Sequence, residues 1–252
     1  MLQFAFLFAA GLIAGAMNGL AGGGSFVSLP ALIAAGVPPV QANASSTVAL
    51  YPGGIATTWT YYDKPGTVCG MGMASLLPVT LAGGLAGSLL LLWTPPGVFT
   101  MVLPWLLLLA TLALAFGRAI ALALRGRLNP RPAVMLAAHF SLGLYGGYFG
   151  GAVGLMILAF WALLGQSDIK VLNGPRAMLV SAANTMAVVV FSFSGAVYWA
   201  QTLVVLVGGI FGGYFGAKLG RIMPARVTRA LTLLISAAIT AVFFVKTYWL
   251  AG

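Results

Sequence analysis

The chain has 252 residues, of which 61% are hydrophobic and 6% charged, with a mean hydropathy of +1.06. No soluble globular domain has that composition, and a spanning helix needs about 20 apolar residues, so the length allows about six to eight crossings and no soluble domain. The 12 Lys+Arg outweigh the 2 Asp+Glu, yet the cations sit in short clusters between apolar runs, as cytoplasmic loops do, which argues against nucleic-acid binding.

An apolar stretch over 1–17 meets a glycine-rich break at 18–24, resumes over 25–36 and stops at the turn Gly36-Val37-Pro38-Pro39. The N-terminus lacks the basic n-region of a cleavable signal peptide and is read as the start of the mature chain. Apolar runs follow at about 43–60, 70–92 and 98–117. After a basic linker the pattern returns: 132–145, a break from Gly146 to Gly154, 155–165, then 173–195, 200–217 and 228–250.

The return is an internal repeat. Gly15, Gly19, Gly22 and Gly23 recur as Gly143, Gly147, Gly150 and Gly151 at an offset of 128. Gly84, Gly87 and Pro95 match Gly213, Gly216 and Pro224 at 129, and between the blocks Asn43 matches Asn173 at 130.

Charge parity orients the halves. The linker carries Arg118, Arg125, Arg127 and Arg131, and the loop after the penultimate helix carries Lys218, Arg221, Arg226 and Arg229. The positive-inside rule puts both in the cytoplasm, so an even number of crossings separates them. The broken stretch 132–165 must therefore enter and return on one side, as a re-entrant hairpin or as two crossings. Lys64, Asp168, Lys170 and Arg176 then fall inside; the uncharged segments 93–97 and 196–200 fall outside, and Lys246 sits on the unexpected side. The expected fold is an all-α integral membrane protein of two inverted-topology repeats, each a broken or re-entrant helical hairpin plus three transmembrane helices. The first repeat spans 1–125, a cytoplasmic basic linker 126–131, and the second, inverted repeat 132–252. Both termini are expected on the periplasmic side of a bacterial inner membrane.

Non-helical backbone at membrane depth survives only where it is buried in protein or lines a watery cavity. Each break precedes a half-helix, beginning near Ser25 and near Leu155, whose free N–H groups and positive dipole end form a ready anion site. The expected substrate-binding set is Gly22, Gly23, Gly24 and Ser25 in the first break and Gly150 and Gly151 in the second. Polar groups on the helices that follow complete it: Asn43, Ser46 and Thr47, then Asn173, Arg176 and Asn184. Membrane hydroxyls often bond only their own backbone, and Arg176 also reads as a positive-inside anchor. His139 reads as a packing histidine, with a titrating role as the alternative. Asp63 and Asp168 both fall in inner loops, so no intrahelical carboxylate is left for a proton relay. With one cysteine, Cys69, and one histidine, neither a metal cluster nor a cofactor is expected, and no catalytic set is available for an enzyme. Gly208, Gly212, Gly216 and Gly220, with Gly83 and Gly87, favour close helix contact within the bundle or in a homodimer.

The run from Gly15 through Gly22, Gly23 and Gly24 to Pro30, its echo from Gly143 to Gly154, and the ending from Gly213 through Lys218 and Arg221 to Pro224 resemble the sulfite exporter TauE/SafE family. The resemblance covers essentially the whole chain. The echo departs at Ala152-Val153, where glycines are typical, and at Leu158, which is not a proline. The resemblance implies a membrane transporter, often an exporter, of sulfur-containing anions such as sulfite, sulfoacetate or other organosulfonates. An anion channel, or a transporter of a different small organic anion, is the alternative. The expected partners are the anion, the lipid bilayer and a coupling proton or sodium ion.

Overall fold

The computed structural model describes residues 1–21, 23–60, 67–68, 70–123, 131–165 and 169–249. These form ten helices: α1 (Leu2–Ala21), α2 (Ser25–Ala34), α3 (Pro39–Thr60), α4 (Met73–Trp93), α5 (Pro96–Ala123), α6 (Pro132–Tyr148), α7 (Val153–Leu163), α8 (Ile169–Phe193), α9 (Trp199–Ile222) and α10 (Ala225–Tyr248). Among the described residues the β pairing is confined to an isolated bridge between Val68 and Met71. The sequence expectations for Gly22, Asp63, Lys64, Cys69, Arg125, Arg127 and Asp168 lie outside the described residues.

Proline and glycine set the helix ends. Pro39, Pro96 and Pro132 each open a helix, where the missing N–H costs nothing and the fixed φ suits the first turn. The short helices α2 and α7 both run into a left-handed glycine, Gly36 at φ +83° and Gly165 at φ +88°. Glycine accepts that conformation without steric cost, and it turns the chain sharply into the next element.

Two sequence expectations shift. α1 continues through Asn18 and Gly19 to Ala21, and α6 through Gly146 and Gly147 to Tyr148, so each break is shorter than the glycine-rich run around it. The reason is packing: a Cβ at Gly143 would lie 2.5 Å from the Thr80 carbonyl oxygen, and one at Gly147 would strike the Gly84 carbonyl. Those glycines let α6 touch α4 and do not interrupt it. Second, among the described residues five helices are long and apolar enough to cross a membrane: Met73–Trp93, Pro96–Gly117, Val171–Phe193, Trp199–Gly216 and Arg226–Tyr248. α3 is absent from that set although it has 22 residues. Its buried polar run Asn43, Ser45, Ser46 and Thr47 lowers its hydropathy, and neighbouring helices cover that run in place of lipid.

Two helix pairs hold the bundle together at backbone-to-backbone distance. In the first, Gly208, Gly212 and Gly216 of α9 sit against Phe8, Leu12 and Ala16 of α1, while Gly11 and Gly15 of α1 face Val205 and Gly209. In the second, Gly83 and Gly87 of α4 sit against Phe140 and Leu144 of α6, while Gly143 and Gly147 face Thr80 and Gly84. Contacts rise together along both members, so each pair runs parallel. Applying the repeat offsets converts one set into the other: Gly212 on Leu12 becomes Gly83 on Phe140, and Gly216 on Ala16 becomes Gly87 on Leu144. The same close approach is thus made twice.

Equivalent helices run antiparallel to each other. On α3 and α8, Tyr51 pairs with Thr185 at 2.8 Å and Thr58 with Ser181 at 2.6 Å. On α5 and α10, Trp105 meets Tyr248, Thr111 meets Thr240, and Arg229 reaches the Leu114 and Ala115 carbonyls. In the first hairpin, Gln3 at the start of α1 bonds the Ala35 carbonyl beyond the end of α2, so the hairpin enters and returns on one face. That amino face also carries the α4–α5 and α8–α9 turns and the exposed Trp93, Trp199 and Trp249, as an interfacial aromatic belt does. The opposite face carries the end of α5, the start of α6 and the α9–α10 turn. Exposed Arg131, Lys218 and Arg226 make it the basic face.

Gly87→Ala and Gly212→Ala should each push a helix pair apart and lower stability by about 1–3 kcal/mol or more. Gly97, where an added Cβ meets nothing within 4 Å, should tolerate alanine. Thermal unfolding in detergent reads the difference, and equal melting of the three variants would contradict this packing.

Candidate functional site

The centre of the bundle is the antiparallel crossing of α3 and α8. Tyr51 and Thr58 lie two turns apart on one face of α3. Opposite them, Thr185 and Ser181 lie one turn apart on α8. The Tyr51 hydroxyl pairs with Thr185 Oγ1, and Thr58 Oγ1 lies 2.6 Å from Ser181 Oγ and 3.0 Å from the Ala177 carbonyl oxygen it bonds. Ser181 in turn reaches the Gly54 carbonyl at 3.3 Å. The result is a polar seam running through an otherwise apolar bundle.

Both breaks abut this seam. A Cβ at Gly24, the residue that precedes α2, would lie 2.5 Å from the Ala14 carbonyl oxygen and 3.1 Å from Leu50 Cδ1, near the middle of α3. In the second half, a Cβ at Gly154, in the first turn of α7, would lie 3.3 Å from Val180 Cγ2, near the middle of α8. Leu50 and Val180 are separated by 130, the offset that also pairs Asn43 with Asn173. Each half-helix therefore begins at mid-depth against the third helix of its own half.

The surroundings of the second break are the more polar. Gly150 has φ +76°, and a Cβ there would sit 3.4 Å from Thr47 Oγ1 and 3.9 Å from Asn184 Oδ1. Arg176 Nη1 lies 3.4 Å from the corresponding point at Gly154. The positive end of the α7 dipole and the permanent guanidinium thus meet at one place.

The expected site residues divide by position. Thr47, Gly150, Gly151, Arg176 and Asn184 come together at the second break, where buried Gly151 packs under the Phe149 ring. Gly23, Gly24 and Ser25 gather at the first, with Gly23 against Thr232 Cγ2 at 3.3 Å and Met17 Cε at 3.7 Å. Asn43 and Ser46 act within the bundle. Asn43 Nδ2 donates to the Tyr148 carbonyl at 2.8 Å, which ties α3 to the end of α6, and Ser46 pairs with Ser28 of α2 at 2.6 Å. Asn173 stands half-buried in the second turn of α8, about three turns from Asn184. His139 is a structural tie between α6 and α7. Trp161 Nε1 can only donate, so at 3.0 Å the His139 Nε2 accepts, and Nδ1–H donates to the Met135 carbonyl at 2.8 Å. Tyr51 and Thr58 were not among the expected site residues. Their seven-residue spacing, matched by the four-residue step from Ser181 to Thr185, is the signal that could have found them.

The family model described as sulfite exporter TauE/SafE matches residues 7–243. The chain belongs to the TauE/SafE family. Curated relatives of this TauE/SafE chain are named as membrane transporters. A probable membrane transporter protein, ORF9, from Sinorhizobium is 31% identical over 93% of this chain and 90% of its own. The probable membrane transporter protein YfcA of Escherichia coli K12 is 28% identical over 93% and 87%. A probable membrane transporter protein of Haemophilus influenzae is 28% identical over 94% and 92%. No solved structure matches.

The departure from the glycine signature at Ala152 has a structural consequence in this TauE/SafE chain. Ala152 precedes α7 at φ +60° and is buried. A left-handed alanine costs roughly 1–2 kcal/mol relative to the right-handed region. Ala152→Gly should leave stability unchanged or raise it by up to about 1 kcal/mol, whereas β-branched Ala152→Val should lower it by about 2 kcal/mol or more. Detergent melting curves check the order, and a stable valine variant would contradict it.

Proposed function

We propose that the chain is a secondary transporter that binds a small sulfur-containing anion, such as sulfite, sulfoacetate or another organosulfonate, at the α3–α8 seam and exports it by alternating access. The observation that carries the reading is the convergence of Arg176 and the α7 N-terminus beside Thr47, Gly150 and Asn184. A guanidinium offers paired donors to an oxyanion, and the helix terminus adds free N–H groups. Family membership supports the sulfur-containing substrate class.

The antiparallel runs of α3 against α8 and of α5 against α10 support reading the halves, 1–125 and 132–252, as inverted repeats. In that reading each closely packed pair, α1 with α9 and α4 with α6, joins the halves, and rocking about the seam exposes the site to one face at a time. The basic face is then cytoplasmic and both termini periplasmic, in the inner membrane of a bacterium. With carboxylates confined to Asp63 and Asp168, coupling to a proton runs through the substrate, or coupling to sodium through carbonyls at the breaks. A site enclosed within one chain favours a transporter over a channel, whose pore is usually built on an assembly axis, and the protein acts as a carrier without catalysis.

Reconstitution in liposomes tests the function. Labelled sulfite, sulfoacetate or taurine should accumulate in response to an ion gradient, and Arg176→Ala and Gly23→Leu should each reduce uptake by about ten-fold or more. If none of the three anions moves and none protects against heat unfolding, the sulfur-anion reading fails. Single cysteines at Pro95 and Gly126 should label from opposite sides of the membrane; labelling from one side would overturn the inverted arrangement.

A further inference from the structure

We infer that the half of α3 nearer the basic face, hinged at Pro52-Gly53-Gly54, is a gate that opens and closes the centre toward that face by moving off and onto Gly213 of α9. The inference rests on the alternating-access reading of the α3–α8 seam. It starts from a contact that is made once and missing at its counterpart. A Cβ at Gly84 of α4 would lie 2.5 Å from the Ala183 carbonyl oxygen of α8, and both residues are buried. The repeat offsets of 129 and 130 make Gly213 of α9 and Gly53 of α3 their counterparts. Among the described residues, a Cβ at Gly213 meets nothing nearer than the Gly15 carbonyl oxygen at 3.8 Å. One at Gly53 meets nothing nearer than Asn18 Nδ2 at 4.0 Å. Gly53 is exposed and Gly213 half-buried.

α3 and α9 do meet one turn earlier, where a Cβ at Gly209 would lie 3.7 Å from Leu50 Cδ2. Leu50 and Gly53 are three residues apart and Gly209 and Gly213 four, so each pair shares a helix face. The two helices therefore touch on the amino side of this level and part toward the basic face. The parted side of α3 differs from its lipid side. Exposed Ile55 and Trp59, one turn apart, present large apolar side chains, whereas exposed Gly53 and Ala56 lie on another side of the helix and carry no bulk.

The hinge stands at the same level. Pro52 lies inside α3, where it leaves the Val48 carbonyl without its helical N–H, and two glycines follow it. The counterpart on α8 is Ala182-Ala183-Asn184, without proline or glycine, and there the contact is closed. Gly53 and Thr58 are five residues apart, about 140° around the helix. A swing that carries Gly53 onto Gly213 thus draws Thr58 away from Ser181 and the Ala177 carbonyl. Those bonds hold the open position. Two facing glycines give the closed position a backbone contact of the kind Gly84 makes on Ala183.

The test uses the full chain with Cys69→Ser in oriented vesicles. A membrane-impermeant sulfonate thiol reagent applied to the basic face should label single cysteines at 53 and 56 and not one at 55, on the lipid side. Gly53→Cys with Gly213→Cys should form a disulfide under mild oxidation, and the cross-link should stop sulfoacetate uptake until a reductant restores it. Gly213→Leu has room in the open position, so its melting temperature and its heat protection by sulfoacetate should match the unmodified chain. Its sulfoacetate uptake should fall by about ten-fold or more, because the gate cannot close. No labelling at 53 and 56, no cross-link, or wild-type uptake by Gly213→Leu overturns the inference. Labelling and cross-linking need no substrate, so their failure beside intact anion uptake refutes the gate alone. Loss of uptake for sulfite, sulfoacetate and taurine in the unmodified chain refutes the transport reading instead.

Discussion

Backbone contact between glycine-bearing helices is the constraint on which the rest depends. In a bilayer, lipid is as apolar as a leucine side chain, so helix association comes from close packing rather than from escaping water. Gly212 against Leu12 and Gly87 against Leu144 bring α1 onto α9 and α4 onto α6 so closely that a Cβ has no room. Each of these pairs joins a helix of one half to a helix of the other. These contacts hold α1, α9, α4 and α6 together, and the short helices α2 and α7 begin inside the bundle, at mid-depth.

That start at mid-depth creates the electrostatics of the centre. A helix that stops within the membrane leaves unsatisfied N–H groups at its start, and only protein, water or ligand can meet them. α7 begins beside Arg176, Thr47 and Asn184, whereas α2 begins among Met17, Asn18, Phe26, Leu50 and Thr232. The two breaks therefore differ in the side chains around them. The first break lies beside the Thr232 methyl of α10.

Much of the architecture was legible in the sequence, for identifiable reasons. Gly15 and Gly143 stand 128 apart, and Gly87 and Gly216 129 apart, because the same close contact is made twice. The elements themselves followed from apolar runs bounded by Pro39, Pro96, Pro132 and Pro224. What was not legible was which glycines bend the chain and which let helices touch. Gly146 and Gly147 look like part of a break, yet they lie within α6, because four-residue spacing is common to both roles. The site divided in the same way. Arg176 and Thr47 could be picked out as polar residues following the breaks, but Asn43 and Ser46 could not be told from them, since their bonds to Tyr148 and Ser28 come from partners distant in sequence. Tyr51 and Thr58 escaped because a tyrosine and a threonine two turns apart become a polar seam only when α8 supplies their partners.

The central claim is that a small oxyanion binds where Arg176 meets the start of α7. Calorimetric titration of the purified protein with sulfite and with sulfoacetate tests it directly, with Arg176→Gln measured alongside. Saturable binding of at least one anion that weakens by about ten-fold or more in the variant, with the melting temperature of the unliganded protein preserved, is the predicted result. Equal affinity in the two proteins would place the anion elsewhere and contradict the account.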